Sequence, residues 1–416
     1  MTTFDIDWVR SQFPALAMKV NGYPAAFFDG PGGTQVPQRV IDAMGAYLAV
    51  SNANVHGAFA TSRRTDEIIA AAHAAMADLL GCDPEEVVFG PNMTALTFAL
   101  SRALGRDLKP GDEILVTRLD HDANVSPWAA LEERGCAIRF VDIHPADCTL
   151  DMEELRQKVT PRTRLVAVGY ASNAVGTIND IAEVVRLAHD AGAMAYIDAV
   201  HYAPHGPIDV RSLDCDFLVC SPYKFFGPHS GVLFGKRERL LRLRPYKVRP
   251  ATDSLPGRWE TGTQNHEGLA GVTAAVEYLA ELGRRHTPEA RGQRAALLAA
   301  YDALCRYERR LLAQLVPALL EIPGLTFYGI TEPARFPQRV PTLAVRIAGR
   351  SPRELATHLG ECGIFTWDGN YYALNLSERL GVEPDGGMLR IGLVHYNTAE
   401  EVDRLLAALR ELAPRA

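Results

Sequence analysis

The stretch YIDAVHYAPHGPIDVRSLDCDFLVCSPYKFFGPHSGVLFG, residues 196–235, decides the fold. It holds the end of one apolar run at Asp198, a second over 217–220 and a third over 231–235. Each run is short, apolar and bounded by Asp, Pro, Ser or Gly, which is how strands buried on both faces read. Asp198 and Lys224 thereby fall at carboxyl ends of strands, where open α/β sheets bind ligands. Lys224 is flanked by Pro222, Tyr223, Phe225, Phe226 and Gly227. An amine in such surroundings is expected to have a lowered pKa, which suits Schiff-base chemistry. An acid facing a cofactor cation and an imine-forming lysine are the two protein groups that pyridoxal phosphate needs.

Outward from this stretch, further strands are expected at 86–89, 113–117, 138–142, 164–169 and 194–198, making seven with 217–220 and 231–235. Helical patterns at 66–80, 151–158 and 181–191 alternate with them. Apolar strands separated by helices indicate an α/β fold with a mostly parallel sheet covered on both faces. After about residue 285 the rhythm becomes α+β. A long amphipathic helix at 294–316 leads to strands at 325–328, 342–347, 364–367 and 389–394, with helices at 352–361 and 399–412. The expected organisation is a large domain over 20–285 and a smaller α+β domain from 1–19 and 286–416. Segments 335–341 and 368–387 read as loops, and the second is long enough to suggest a functional one.

Composition limits the partners. The chain has 416 residues, 47% apolar and 22% charged, with a net charge of −7. That is a globular composition, and the negative balance argues against nucleic acid or an anionic membrane surface. No apolar run approaches the roughly 18 residues needed to span a bilayer. Residues 1–15 carry Asp5 and Asp7 where a secretory leader wants a basic start, so a cytoplasmic location is expected. Seven cysteines are scattered singly, which suits reduced, buried thiols. His201 and His205 are four apart, but no H-E-x-x-H accompanies them, and no metal is expected. Gly30, Pro31, Gly32 and Gly33 resemble a dinucleotide fingerprint, yet Gln35 stands where its last glycine belongs.

Several motifs in order resemble the class V aminotransferase group of fold-type I pyridoxal-phosphate enzymes, in its cysteine desulfurase-like and selenocysteine lyase-like branch. They are FFDGPGGTQVP (27–37), NANVHGAFATSRR (52–64), DHDANVSPW (120–128), SNAVGTI (172–178), the Asp198–Lys224 segment, ETGTQN (260–265) and LRIGLVHYNT (389–398). The resemblance covers nearly the whole chain. It implies that Lys224 forms the covalent link to pyridoxal 5'-phosphate and moves protons. It implies that Asp198 pairs with the pyridinium nitrogen and that His121 stacks on the ring and shuttles protons, so that Lys224, His121 and Asp198 are the catalytic residues. Asn173 would bond the ring hydroxyl and contribute to substrate binding. Ser221 would hold the phosphate together with the turn at Asn92, Met93 and Thr94, since a helix start binds phosphate well. Thr263 would reach the phosphate of a neighbouring subunit, which implies a homodimer. Arg390 would clamp the substrate carboxylate, and His56 would assist in substrate binding.

Three departures from the family pattern stand out. His201 replaces the usual Gln, and Tyr223 replaces the usual His before the lysine; both carry donors that could serve the ring hydroxyl or the phosphate. The stretch that carries the nucleophilic cysteine in desulfurases, here WDGNYYALNLSERL (367–380), has none. Cys362, the nearest, reads as structural. The resemblance therefore implies β-elimination with C–S cleavage of a cysteine-derived amino acid. An aminotransferase or epimerase of the same fold is the alternative, and a non-catalytic pyridoxal-binding protein is a further one. Tyr371 and Tyr372 are open between a role as acids, substrate shaping and ordinary packing.

Overall fold

The computed structural model describes residues 4–414. Residues 1–3 and 415–416 of the expected small domain lie outside them.

The seven expected strands form one sheet. In chain order they are β1 (Val87–Gly90), β2 (Glu113–Thr117), β3 (Ala137–Val141), β4 (Thr163–Gly169), β5 (Met194–Asp198), β6 (Phe217–Cys220) and β7 (Gly231–Gly235). Their spatial order is β1-β7-β6-β5-β4-β2-β3. The sheet is parallel except for β7, which runs antiparallel to both its neighbours. Alternation along each strand feeds two cores. Val166, Val168, Ala195 and Ile197 pack on one face, and Leu165, Ala167, Tyr196 and Val219 on the other. That double burial explains the continuous apolar runs. The α/β, mostly parallel seven-stranded architecture agrees with the expectation.

A second, antiparallel sheet contains β8 (Leu325–Tyr328), β9 (Thr342–Ile347), β10 (Trp367–Gly369) and β11 (Met388–Gly392) in the order β8-β9-β11-β10. Helices Pro352–Glu361 and Ala399–Glu411 pack on it. Helix Gln293–Leu320 joins the two sheets: Leu297, Tyr301 and Leu304 pack into the first core of the large sheet, and Leu311, Leu315 and Leu319 into the core of the small one.

Two expected loops are built differently. Segment 335–341 contains most of a 3-10 turn, Pro333–Gln338. Segment 368–387 contains helix Leu374–Arg379 and a turn at Glu383–Asp385. That helix starts at Ala373 without a side-chain cap, so no start signal marks it in the sequence. The expected strand 364–367 splits at Thr366. Ile364–Phe365 pairs with Ala26–Phe27, whereas Trp367 starts the edge of the small sheet.

Candidate active site

A cavity of about 580 Å³ opens at the carboxyl ends of the parallel strands, and the small sheet forms its opposite wall. Lys224, Asp198, His121, Asn173, His201, Tyr223, Met93, Thr94 and Arg390 all line it.

Asp198 ends β5 and is 7% exposed; its Oδ1 accepts the Val200 N–H at 2.9 Å. Burial raises its pKa to about 6, opposed by that backbone bond and by Lys224. Lys224 ends a short turn, Pro222–Lys224, that follows β6 and leaves the residue 9% exposed. Its Nζ donates to the Pro31 carbonyl and sits 4.9 Å from the Tyr223 ring centroid. Burial lowers its pKa to about 7; the Arg390 cation adds to this, and Asp198 and Asp29 resist it. The amine is thus neutral in much of the population near neutral pH, the state a nucleophile and proton carrier requires.

His121 follows β2 and begins a short turn. Its Nδ1 lies 3.0 Å from the Ala123 N–H and accepts it, which leaves the ring proton on Nε2. Burial pulls its pKa down to about 4, and Lys224 and Arg390 add to that, so the ring is neutral. The Tyr372 ring stacks on it at 5.3 Å and 18°.

Arg390 lies on β11 opposite Ala344 and is 5% exposed. Its Nη1 donates to the Asn173 carbonyl at 2.8 Å, and its Nε is buried without a partner. Burial lowers its pKa to about 10, which still leaves it charged. Asn173 Nδ2 donates to the Tyr371 carbonyl at 2.9 Å, and its Oδ1 is buried and unpartnered. Met93 and Thr94 open helix Met93–Leu104, where leading N–H groups lack intrahelical acceptors.

Four expected site residues stand off the cavity wall. Asn92 caps that helix, accepting the Ala95 N–H at 2.8 Å. Ser221 is buried behind the wall with Oγ unpartnered. His56 is exposed and lies 3.3 Å from Asp66. Thr263 is exposed.

Other lining residues escaped the sequence reading. Asp120, one residue before His121, accepts the Gly169 N–H at 2.7 Å and the Asn124 Nδ2 at 3.1 Å. Burial, reinforced by Asp198, raises its pKa to about 8. Trp367 covers Gly32 so closely that a Cβ there would lie 2.2 Å from the indole nitrogen. Glu383 holds the tip of the covering loop, accepting Asn370 Nδ2 at 2.9 Å and Ser377 Oγ at 2.5 Å. Asp29, just off the wall, keeps a buried unpartnered Oδ1, and burial raises its pKa to about 6 against Arg390 and Lys224. DHDANVSPW and FFDGPGG contained Asp120 and Asp29, but strand ends alone do not say which carboxylate faces inward.

No cysteine lines the cavity among the described residues. Cys362 closes helix Pro352–Glu361. Its Sγ lies 4.0 Å from His358 Nε2. No helix among the described residues is long and apolar enough to cross a membrane.

The family model described as Aminotransferase class-V matches residues 26–405. A protein of Pectobacterium atrosepticum named cysteine desulfurase is 32% identical over 428 residues, covering 99% of this chain and 98% of the relative. A cysteine desulfurase of Synechococcus elongatus is 33% identical, but this chain spans only 64% of its length. Among solved structures, the apo cysteine desulfurase of Thermococcus onnurineus NA1 superposes with a TM-score of 0.87 at 26% identity, covering 99% of each chain. The cysteine desulfurase CsdA of Escherichia coli gives 0.84 at 29%, covering 99% of this chain and 100% of that one.

Proposed function

The chain belongs to the aminotransferase class-V family, and from that premise we propose that it is a pyridoxal-phosphate lyase. It cleaves the Cβ–S bond of a cysteine-derived amino acid without a thiol of its own. The observation that carries this reading is a cavity lined by Lys224, Asp198 and Arg390 but by no cysteine.

The buried polar atoms fit the cofactor. Unpartnered Asn173 Oδ1, His201 Nδ1 and Arg390 Nε need a ligand, and a helix start at Met93 and Thr94 suits a phosphate. Bound through an amine, pyridoxal phosphate supplies an electron sink that acidifies the substrate Cα–H. Lys224 holds the cofactor and then, as the free amine, takes that proton. The Asp198 carboxylate would face the ring nitrogen and keep it protonated. Arg390 anchors the substrate carboxylate, which orients the Cα–H bond toward Lys224. The Cβ–S electron pair would then leave on sulfur, and Lys224, carrying the Cα proton, would return it to the departing group. The released enamine hydrolyses to pyruvate and ammonium.

Thr263 and His56 are exposed and outside this chain's own cavity, which supports a homodimer in which they serve the second copy's site, and seven unpaired cysteines suit a cytoplasmic location.

A substrate screen on the purified holoenzyme tests the reading. Cysteine, cysteine sulfinate, S-substituted cysteines and selenocysteine are each followed for pyruvate, released sulfur or selenium species, keto acids and D-amino acids. Pyruvate matching the released leaving group is expected. A keto acid retaining the side chain, or a D-amino acid without pyruvate, would replace the lyase by an aminotransferase or epimerase.

A further inference from the structure

His201 lines the cavity, is 3% exposed, and has one nitrogen committed. Its Nε2 lies 2.9 Å from Thr342 Oγ1, and its Nδ1 is buried without a partner. Thr342 is fully buried at the start of β9, and its carbonyl accepts Arg339 Nη2. We infer that Thr342 is a positioning residue that sets the tautomer of His201. Its hydroxyl donates to Nε2, so that the imidazole offers an N–H at Nδ1 to the ring oxygen of the cofactor. This rests on the reading of the cavity as a pyridoxal-phosphate site.

Counting donors and acceptors decides between the two tautomers. If Nε2 carried the proton, it would donate to Thr342 Oγ1. The threonine hydrogen would then be buried without an acceptor, and Nδ1 would present a bare lone pair. With the proton on Nδ1, the hydroxyl and Nε2 satisfy each other, and a single donor is left for the ligand. A second proton on the ring is opposed from every side. Burial disfavours the charge, and the His205 ring, Lys224, Arg390 and His121 all add to that. Glu308 is spent on His205, whose Nδ1 lies 3.0 Å from Glu308 Oε2. The His205 ring meets His201 edge-on at 5.7 Å.

The arrangement also ties the two walls together. His201 belongs to the loop after β5, whereas Thr342 lies on β9, the strand paired with the one carrying Arg390. The donor for the cofactor and the clamp for the substrate are therefore referenced to the same strand pair.

Two measurements test this, and the first needs neither cofactor nor turnover. Histidine-labelled apoprotein is studied by nitrogen-15 NMR, with His201→Gln identifying the resonances. A neutral His201 protonated at Nδ1 is expected across neutral pH. Thr342→Val should give a mixture of tautomers, and Thr342→Ser should restore the single one. Second, the visible band of bound pyridoxal phosphate is titrated. A donor to the ring oxygen competes with the neighbouring imine proton for it. Thr342→Val should therefore move the titration upward by about one pH unit, the size expected for one lost hydrogen bond to a charged oxygen. Thr342→Ser should return it. An Nε2-protonated His201 in the wild type would overturn the inference, even if Thr342→Val fails to fold. An unmoved tautomer and an unmoved band in a folded Thr342→Val would do the same. Neither result bears on the lyase reading, which stands or falls on the products of the substrate screen.

Discussion

The guanidinium carbon of Arg390 lies 4.2 Å from the centroid of the Tyr371 ring, so the loop that covers the cavity rests on the residue proposed to clamp the substrate carboxylate. A cation on an aromatic face in a dry site is stabilised by about 1–2 kcal/mol. Tyr371→Ala should therefore raise KM for the amino acid by roughly tenfold, and Tyr371→Phe, which keeps the face, should change it little. Steady-state kinetics with KM and kcat resolved separately would show this. Equal values for the Ala and Phe variants would remove the ring from substrate binding.

Arg390→Ala should be far more severe. Truncating one partner of a buried charged pair costs about 2–5 kcal/mol, and here the loss falls on kcat/KM because the carboxylate also orients the Cα–H bond. Arg390→Lys should recover only part, since an ammonium cannot make the bidentate pair. The kcat/KM values of the two variants decide it.

Lys224 has its pKa lowered to about 7 by burial. The unprotonated amine captures the cofactor, so capture by apoprotein should accelerate as pH rises through about 7 and level off above it. Stopped-flow absorbance measures the rate. Lys224→Ala should still bind the cofactor but leave no borohydride-stable adduct; an adduct in that variant would move the linkage to another residue.

Cys362 closes a helix away from the cavity. Cys362→Ser should turn over at nearly the wild-type rate, and mass spectrometry of enzyme quenched during turnover should find no added sulfur on any cysteine. Added sulfur on Cys362 together with lost activity in Cys362→Ser would restore a persulfide relay.

The segment ending at Thr263 is anchored by a buried pair, His73 and Glu260, with Nε2 to Oε1 at 2.8 Å. The other ring nitrogen, Nδ1, lies 2.8 Å from the Ile69 carbonyl, so both nitrogens face acceptors, which favours the protonated ring. Burial opposes the charge, yet Glu260 overrides it, and the His73 pKa is raised above its ordinary 6.5. A raised folded pKa means that the extra stability is complete below the unfolded value and fades as pH rises through the folded one. His73→Gln should therefore lower Tm most at mildly acidic pH and progressively less in alkaline buffer. Thr263→Ala should weaken cofactor retention by about 1–2 kcal/mol in the dimer. A gap between wild type and His73→Gln that widens with pH would contradict the first statement, and a fully active monomer in sedimentation would contradict the second.

Much of this was legible in the chain. The strands around Asp198 and Lys224 are continuous apolar runs because both faces are covered, and their ends follow from where the apolar residues stop. Lys224, Asp198, His121 and Arg390 could be singled out because ordered motifs surround them. Asp120 and Asp29 could not, because facing inward depends on register between strands distant in sequence. The helix at Leu374–Arg379 was hidden by its missing cap. The Thr342 contact to His201 joins residues 141 apart, beyond any local pattern.

Tyr371 and Tyr372 hold φ angles of 57° and 61°, in a region where an L side chain costs about 1–2 kcal/mol per residue. Two backbone bonds pin them there: Asn173 Nδ2 to the Tyr371 carbonyl, and the Asp122 N–H to the Tyr372 carbonyl at 2.7 Å. Glycine at either position would relax the chain; the two rings sit there at a backbone cost and touch Arg390 and His121. Retuning the enzyme toward another amino acid should therefore begin at these two positions. Exchange there reshapes the chamber, and glycine is the replacement that also relieves the backbone, at the cost of the contacts the rings make.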